Sequence, residues 1–230
     1  MNGAFARSRS LLGDEAMERL AAAKAIVVGV GGVGSWAAEA LVRTGVGEVA
    51  IMDDDTVAES NLNRQCPASA DTLGMPKVEV MAARLRAINP ECRITGIVRR
   101  YPEGGGDIDL SRYDVAVDAI DSIKCKARLI LDAQAAGCAV VSSMGAAMRL
   151  DPTKVVAGKF DKVVGDHLAK ALRRQFKLLG RHPKRFTAVW STEQCAKPAR
   201  AGEMGSVMSV TATFGMCIAA KAIEEMIKGK

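Results

Sequence analysis

The stretch KAIVVGVGGVG, residues 24–34, joins a short apolar run to a glycine-rich turn. Its first part, Lys24–Val28, is rich in β-branched residues, which is typical of a buried parallel strand. Residues 33–44 place apolar side chains on one face of a predicted helix, and Gly45 follows where helices commonly end. A strand, a glycine turn and a helix in this order predict the first unit of a Rossmann-type fold.

The same alternation continues along the chain. We predict strands at residues 48–52, 93–98, 115–118, 138–142 and 186–190, and helices at 76–88, 123–136, 166–179 and from about 205 onward. Alternating strands and helices indicate an α/β, doubly wound, mostly parallel sheet with a C-terminal extension. No repeat or low-complexity linker divides residues 1–230, so we expect one domain, with a nucleotide-binding core at about 20–145 and an extension at about 146–230.

The six cysteines and the apolar runs bear on location. No two cysteines have C-x-x-C spacing, so no structural zinc is expected. The N-terminus lacks the apolar core of a signal peptide, which predicts a reduced, cytoplasmic protein. Residues 204–220 carry no charge, but the run is short for a membrane span and is interrupted by Ser and Thr. We therefore expect a buried helix there rather than stable membrane insertion.

The net charge of +6 is concentrated in residues 159–185. This basic segment holds nine Lys or Arg against Asp161 and Asp166, a net charge of +7, and the rest of the chain sums to −1. Such a cluster forms either a solvated helix face or a surface that binds a phosphate backbone. Composition alone leaves both interpretations open.

The glycine turn predicts a nucleotide. Gly29 permits the tight turn, Gly31 and Gly32 let the backbone approach a phosphate, and Gly34 lets helix and strand pack closely. The helix N-terminus then offers free N–H groups to an anion. Asp53 lies nineteen residues after Gly34, at the end of the second strand, where a carboxylate accepts hydrogen bonds from ribose. The alternative is that the glycines serve packing alone.

The polar segment at residues 55–65, DTVAESNLNRQ, favours a nucleoside triphosphate over NAD. It places Arg64 just past the carboxyl edge of the sheet, and Lys77 begins the next predicted helix. Arg binds phosphate oxygens bidentately and Lys acts as a point charge, a combination that a dehydrogenase rarely needs. The alternative for Arg64 is a surface ion pair with Asp55 or Glu59.

Two carboxylates follow a later strand. Asp118 ends it and serves either as a ligand-side group or as a cap for the next helix. Asp121 is better placed for Mg²⁺, which usually takes one or two carboxylates together with phosphate oxygens.

These motifs together resemble the ubiquitin-activating-like superfamily, which includes the ThiF, MoeB and HesA families. The superfamily patterns G-x-G-G-x-G, D-x-D-x-V-x-x-S-N-L-x-R-Q, G-x-P-K and D-x-x-D are matched at residues 29–34, 53–65, 74–77 and 118–121. Its members adenylate a carboxylate. The resemblance implies that Asp53 holds the ribose, Asn61 and Arg64 the phosphates, Lys77 the α-phosphate charge and Asp121 Mg²⁺. The catalytic residues implied are Arg64, Lys77 and Asp121, and the ATP site consists of Gly29, Gly31, Gly32, Gly34, Asp53, Asp55, Ser60, Asn61, Arg64, Gln65, Lys77 and Asp121.

Further stretches resemble the tRNA-modifying branch of this superfamily, among them GSWAAEAL at 34–41, NRQ at 63–65, INPEC at 88–92, STE at 191–193 and VTATFG at 210–215. The resemblance implies ATP-dependent activation of the threonyl carboxylate of threonylcarbamoyladenosine in tRNA, followed by cyclising dehydration. It also implies a homodimer and tRNA binding by the basic segment.

The runner-up is an adenylating activator of the C-terminus of a sulfur-carrier protein, with sulfur-transfer proteins as partners. A non-catalytic nucleotide-binding adaptor and, last, an NAD dehydrogenase are further alternatives. Cys195 lies in the loop where related activators carry a working cysteine, but a loop thiol is more often inert. No role is predicted for Arg7 and Arg9, which are shifted from the superfamily's N-terminal arginines, and the sequence does not specify whether a monovalent cation binds.

Overall fold

A computed structural model describes residues 3–199 and 203–228. They form a seven-stranded sheet in the order β3-β2-β1-β4-β5-β7-β6, with β6 alone antiparallel to its neighbour. The strands are β1 (Lys24–Val28), β2 (Glu48–Asp53), β3 (Arg93–Val98), β4 (Val115–Asp118), β5 (Ala139–Ser143), β6 (Val155–Lys159) and β7 (Thr187–Ser191). The helices are α1 (Ala6–Leu12), α2 (Asp14–Ala22), α3 (Gly34–Thr44), α4 (Lys77–Ile88), α5 (Ile123–Ala135), α6 (His167–Leu178) and α7 (Met208–Lys228).

The predicted doubly wound α/β fold is confirmed, with element ends shifted by up to about three residues. Pro76 precedes the first residue of α4 instead of opening it, and β5 and β7 each begin and end one residue later than predicted. Gly45 ends α3 in a left-handed conformation, with φ 99° and its N–H bonded to the last turn.

Three elements were missed from the sequence. Helices α1 and α2 are short, and only Ala16, Met17 and Leu20 of α2 are buried. Strand β6 is an edge strand that alternates poorly and contains Gly158, whose backbone lies against the ring of Trp190. Each element is too short, or too irregular in its pattern of apolar residues, for either periodicity to reveal it.

The sheet is buried on both faces because its strands alternate their side chains between two helical layers. Val27 and Ile51 point toward the layer of α2, α3, α4 and α7, and Ile26 and Met52 point toward α5 and α6. Helix α7 contacts α3 so closely that a Cβ at Gly215 would lie 2.6 Å from the carbonyl oxygen of Val33. This close packing explains most of the uncharged run: from Met208 onward it forms a helix with a buried inner face, as predicted, while Met204 and Val207 before it are exposed. Among the helices of the described residues, none is long and apolar enough to cross a membrane.

A charged pair lies inside the sheet edge that carries the candidate site. The Nζ of Lys126 on α5 is 2.8 Å from Oδ2 of Asp118, and both side chains are fully buried. Ser142 donates to the same oxygen over 2.6 Å, and Oδ1 of Asp118 accepts from the N–H of Ile120. Asp118 therefore neither caps α5 nor faces a ligand; it ties β4, β5 and α5 together beneath the loop that leads to Asp121.

We expect Lys126→Met to destabilise the protein by about 3–5 kcal/mol, because it leaves a buried carboxylate without its counter-charge. Urea denaturation gives the free energy of unfolding. The double variant Asp118→Asn/Lys126→Met removes both charges and should recover most of the loss. A double variant as unstable as the single one would show that packing, and not charge, is what Lys126 contributes.

Candidate functional site

A cavity of about 630 Å³ opens at the carboxyl edge of the sheet, where β1 and β4 lie side by side and the chain order reverses. Open α/β sheets bind ligands at this position. The cavity brings together most of the residues that the sequence singled out: Gly29, Gly31, Gly32, Asp53, Asp55, Asn61, Arg64, Gln65, Lys77 and Asp121. Gly34 and Ser60 do not line it.

The glycine turn is shaped by two close approaches. Gly29 has φ 90°, and a Cβ on it would lie 2.6 Å from the carbonyl oxygen of Ala119 after β4. A Cβ on Gly34 would lie 1.8 Å from the carbonyl oxygen of Gly29, so Gly34 serves packing beneath the turn. Oδ2 of Asp53 accepts from the N–H of Val30 over 2.6 Å, so this carboxylate also anchors the turn.

Three successive carboxylates after β2 lie close together, with one oxygen of each within 4.8 Å of the others. Asp55 lies 2.7 Å from the Nζ of Lys77, whose side chain is only 6% exposed, and Asp54 pairs with Arg100 over 3.3 Å. The ammonium group of Lys77 therefore enters the cavity with its charge balanced by the carboxylate of Asp55, which lies just after β2. A phosphate in the cavity would share or replace that partner.

Arg64 is held by its own segment. Its Nη1 donates to the carbonyl oxygen of Ser60 and to Oδ1 of Asn63, both over 2.8 Å, and its carbonyl oxygen accepts from the indole of Trp36. Within the described residues Arg64 forms no ion pair with Asp55 or Glu59, so the alternative of a surface ion pair is wrong. Asn63 also donates to the carbonyl oxygen of Ser206, so one amide joins Arg64 to the segment before α7.

The described residues of the cavity fit a nucleoside triphosphate. The backbone at Gly31 and Gly32 faces the cavity, and Oε1 of Gln65 is buried with no hydrogen-bond partner in the described part of the chain. A buried polar atom in this state usually marks a ligand or water that satisfies it. Asp121 is exposed at the cavity and makes no ion pair within residues 3–199 and 203–228, which leaves its carboxylate free for a cation.

The sequence missed two parts of the cavity. Arg99 and Arg100 follow β3 and line the charged side, and the arginine doublet at a strand end was the available signal. The second part of the lining carries no charge and is built by the end of β5 and the loop after it, the first turn of α6, the segment before α7 and the first turn of α7. Its residues are Ser143, Met144, Gly145, Ala146, Ala147, Leu168, Met204, Ser206 and Thr211. They lie far from the motifs in sequence, so no local pattern points to them.

A buried acid supports the site from below. Glu39 on α3 accepts from Arg84 over 2.6 Å and from Arg43 over 2.8 Å, and the thiol of Cys66 lies 3.1 Å from it. Burial alone would raise the pKa of Glu39, but the hydrogen bonds from Arg84, Cys66 and Arg43 lower it to about 2. Burial and the neighbouring Glu39 raise the pKa of Cys66 to about 12, so this thiol stays protonated at neutral pH.

Ser35 on α3 connects the glycine turn to the segment that carries Arg64, Gln65 and Cys66. Its hydroxyl donates to the carbonyl oxygen of Gly31 over 2.6 Å and accepts from the N–H of Cys66 over 3.2 Å. The glycine turn and the segment that carries Arg64 and Gln65 are therefore fixed relative to each other.

The remaining candidates lie away from this centre. Cys195 is exposed, and all six cysteines are free thiols. Arg9 pairs with Asp14, and Arg7 is exposed on α1. His167 and His182 are exposed surface residues.

Comparison with known proteins places this site in a family. The model of the ThiF family matches residues 5–229. The chain belongs to the ThiF family.

Individual relatives of the ThiF family add detail. The chain is 36% identical to the tRNA threonylcarbamoyladenosine dehydratase of Haemophilus influenzae, over 94% of this chain and 90% of that protein. The crystal structure of the E. coli tRNA N6-threonylcarbamoyladenosine dehydratase in complex with ATP superposes with a TM-score of 0.90 at 36% identity, over 99% of this chain and 95% of that one. The molybdopterin-synthase adenylyltransferase of Salmonella typhimurium is 34% identical over 60% of this chain and 54% of its own length. The resemblance inferred from the motifs is confirmed.

The low pKa of Glu39 predicts a pH-dependent contribution to stability. Its folded pKa of about 2 lies below the ordinary glutamate value of 4.5. The contribution, at most about 3 kcal/mol, is therefore present above pH 4.5 and is lost as the pH falls toward 2. We expect the difference in free energy of unfolding between wild type and Glu39→Gln, measured in urea, to shrink across that window. A difference that stays constant from pH 7 to pH 3 would contradict this.

The two hydrogen bonds of Asn63 can be separated by substitution. Asn63→Ala removes an acceptor from Arg64, and we expect the Kd for ATP to rise about tenfold, the effect of roughly one hydrogen bond. Asn63→Asp keeps the acceptor and loses the donor to Ser206, so it should retain most of the affinity. Isothermal titration measures both. An Asp variant as weak as the Ala variant would assign the effect to the tether at Ser206 instead.

Proposed function

We propose that this chain is an ATP-dependent enzyme that adenylates the carboxylate of threonylcarbamoyladenosine in tRNA and drives its cyclising dehydration. The observation that carries the proposal is the composition of the cavity: charged residues suited to a triphosphate and uncharged small and apolar residues line the same space. The support from relatives is the 36% identity to a dehydratase of this specificity along nearly the whole chain.

In the first step, a carboxylate oxygen of the threonyl group attacks the α-phosphorus of ATP and pyrophosphate leaves. Negative charge accumulates on the phosphate oxygens during this attack, and fixed cations stabilise it. Lys77 lies in the cavity with its ammonium group already oriented by Asp55. We assign it to the α-phosphate, and Arg64 to the phosphates beyond it.

In the second step, the carbamoyl group of the same substrate attacks the activated carbonyl carbon. AMP leaves with one of the former carboxylate oxygens, and the attacking group loses a proton, so the product is lighter by one water. Because nucleophile and electrophile belong to one molecule, this step needs chiefly positioning. The uncharged part of the lining, with Met144 and Leu168, fits that task and needs no cysteine nucleophile.

We assign Asp121 to a magnesium ion. Such an ion neutralises phosphate charge and raises the electrophilicity of phosphorus. Asp121 has the oxygen donors that magnesium prefers, and it lies on the loop that Asp118 anchors.

The decisive experiment combines purified protein, ATP, Mg²⁺ and tRNA that carries threonylcarbamoyladenosine. Mass spectrometry of the digested nucleosides should show loss of one water from the modified adenosine, with AMP and pyrophosphate as the other products. An unchanged nucleoside mass with fresh ATP would refute the proposal.

Variants of the phosphate-binding cations sharpen this test. Lys77→Ala and Arg64→Ala should each lower kcat about 10²–10³-fold, as expected for removal of a group that stabilises transition-state charge. Lys221→Ala removes a cation from α7 that pairs with Glu224 outside the cavity, and it should leave kcat unchanged.

The second candidate function is activation of a sulfur-carrier protein, which is supported by the 34% identity to a molybdopterin-synthase adenylyltransferase over 60% of this chain. ATP–pyrophosphate exchange that depends on such a carrier and not on tRNA would support it. The homodimer, the sulfur-transfer partners, the cytoplasmic location, a bound monovalent cation and the division of the domain into core and extension stay predictions.

A further inference from the structure

The basic segment at residues 159–185 does not form one surface. Helix α6 begins at the edge that carries the cavity, because Asp166 at its N-terminus accepts from the N–H of Gly145 over 3.1 Å and Leu168 lines the cavity. The chain after α6 reaches the opposite edge, where Lys184 bonds to Gln134 at the end of α5. The segment therefore runs from the carboxyl ends of the parallel strands, where the cavity lies, to their amino ends, which we call the opposite edge.

Several of its cations belong to that opposite edge. Lys159, Lys184 and Arg185 line a smaller cavity of about 340 Å³ there, which Asp114 and Glu225 also line. Arg185 pairs with Asp161 over 3.3 Å. These charges lie near carboxylates and on the side of the sheet away from the nucleotide cavity.

Arg173 is a structural residue. Its Nη2 donates to the carbonyl oxygens of Phe160 and Val163, and its guanidinium lies 4.9 Å from the centre of the Phe160 ring. It faces inward and is not available to a partner.

Of the five other cations of the segment, Lys162 and Arg181 lie outside α6, and three lie on one exposed face of this helix. Lys170, Arg174 and Lys177 follow each other at helical spacings of four and three residues, all are exposed, and α6 contains no acidic residue. Within the described residues none of the three has an ion-pair partner. We call these three residues the α6 ridge.

The ridge starts one short step along α6 from Leu168, which lines the cavity, but it lies on the outer face of the helix, roughly 180–240° around the axis from Leu168. With a rise of about 1.5 Å per residue, Lys170, Arg174 and Lys177 lie roughly 3, 9 and 13 Å along the helix axis from Leu168. Asp166 fixes this relation, since one oxygen caps α6 at Ala169 and the other holds the cavity backbone at Gly145. A chain of phosphates that leaves the cavity and passes over the first turn of α6 therefore meets unpaired cations at successive turns of the outer face.

We propose that the α6 ridge binds the tRNA backbone next to the nucleoside in the cavity, and that the cations of the opposite edge take no part. The proposal rests on the proposed function, which supplies tRNA as the polyanion. Cations that contact phosphates release counterions, so each contact contributes to the salt dependence of binding. The cations of the opposite edge can attract the tRNA only at long range, and salt at about 0.1 M screens such attraction beyond about 10 Å.

The test compares two triple variants that each remove three positive charges. The ridge variant is Lys170→Ala/Arg174→Ala/Lys177→Ala, and the matched control is Lys159→Ala/Lys184→Ala/Arg185→Ala. Binding of tRNA that carries threonylcarbamoyladenosine is measured against salt concentration, with the Kd for ATP as a check on the nucleotide side. Alanine favours helix, so the ridge variant should fold.

We expect the ridge variant to bind tRNA at least about tenfold more weakly at 0.1 M salt, with a log–log salt slope smaller by about 2 to 3 and an unchanged Kd for ATP. The control should lose less than about threefold, with the same slope as wild type. Equal losses in both variants, or a ridge variant that binds like wild type, would overturn the proposal. Failure of the proposed function is distinguishable: wild type would then leave the nucleoside mass unchanged whatever the ridge does to binding.

Discussion

The close approach of the glycine turn to the end of β4 is the constraint on which the site depends. A Cβ at Gly29 would collide with the carbonyl of Ala119, and one at Gly34 would collide with the carbonyl of Gly29. Because only glycine tolerates both contacts, β1 and β4 can bring their carboxyl ends together and open a crevice between them. The buried pair of Lys126 and Asp118 sets the β4 side of that crevice from within.

The charges of the cavity are arranged in advance of any ligand. Lys77 is oriented by Asp55, Arg100 by Asp54, and Arg64 by Asn63. Pre-oriented charges need little reorganisation when phosphate charge develops, which is the physical basis of electrostatic catalysis. The same pairs keep the cluster of carboxylates after β2 from repelling one another. This arrangement suits an adenylating member of the ThiF family.

The uncharged residues of the cavity and the α6 ridge concern the second substrate rather than the nucleotide. The cavity side offers backbone, Leu168 and small side chains to a neutral group, and the ridge offers cations to a phosphate chain. Asp166 joins the two because its carboxylate bonds both to the first turn of α6 and to the cavity backbone. A nucleoside embedded in tRNA presents that combination of a neutral base and a charged backbone.

The sequence by itself determined the α/β fold, most of its element ends, the family, and the residues that line the phosphate side of the cavity. It could do so because strand and helix periodicities are local and because the motif residues follow directly after strands β1, β2 and β4. Only the tertiary structure decided that Lys126 pairs with Asp118, that Asn63 reaches Ser206, and that the basic segment divides between two edges of the sheet. Each of these depends on which distant elements meet across the fold, and no local pattern in the chain encodes that meeting.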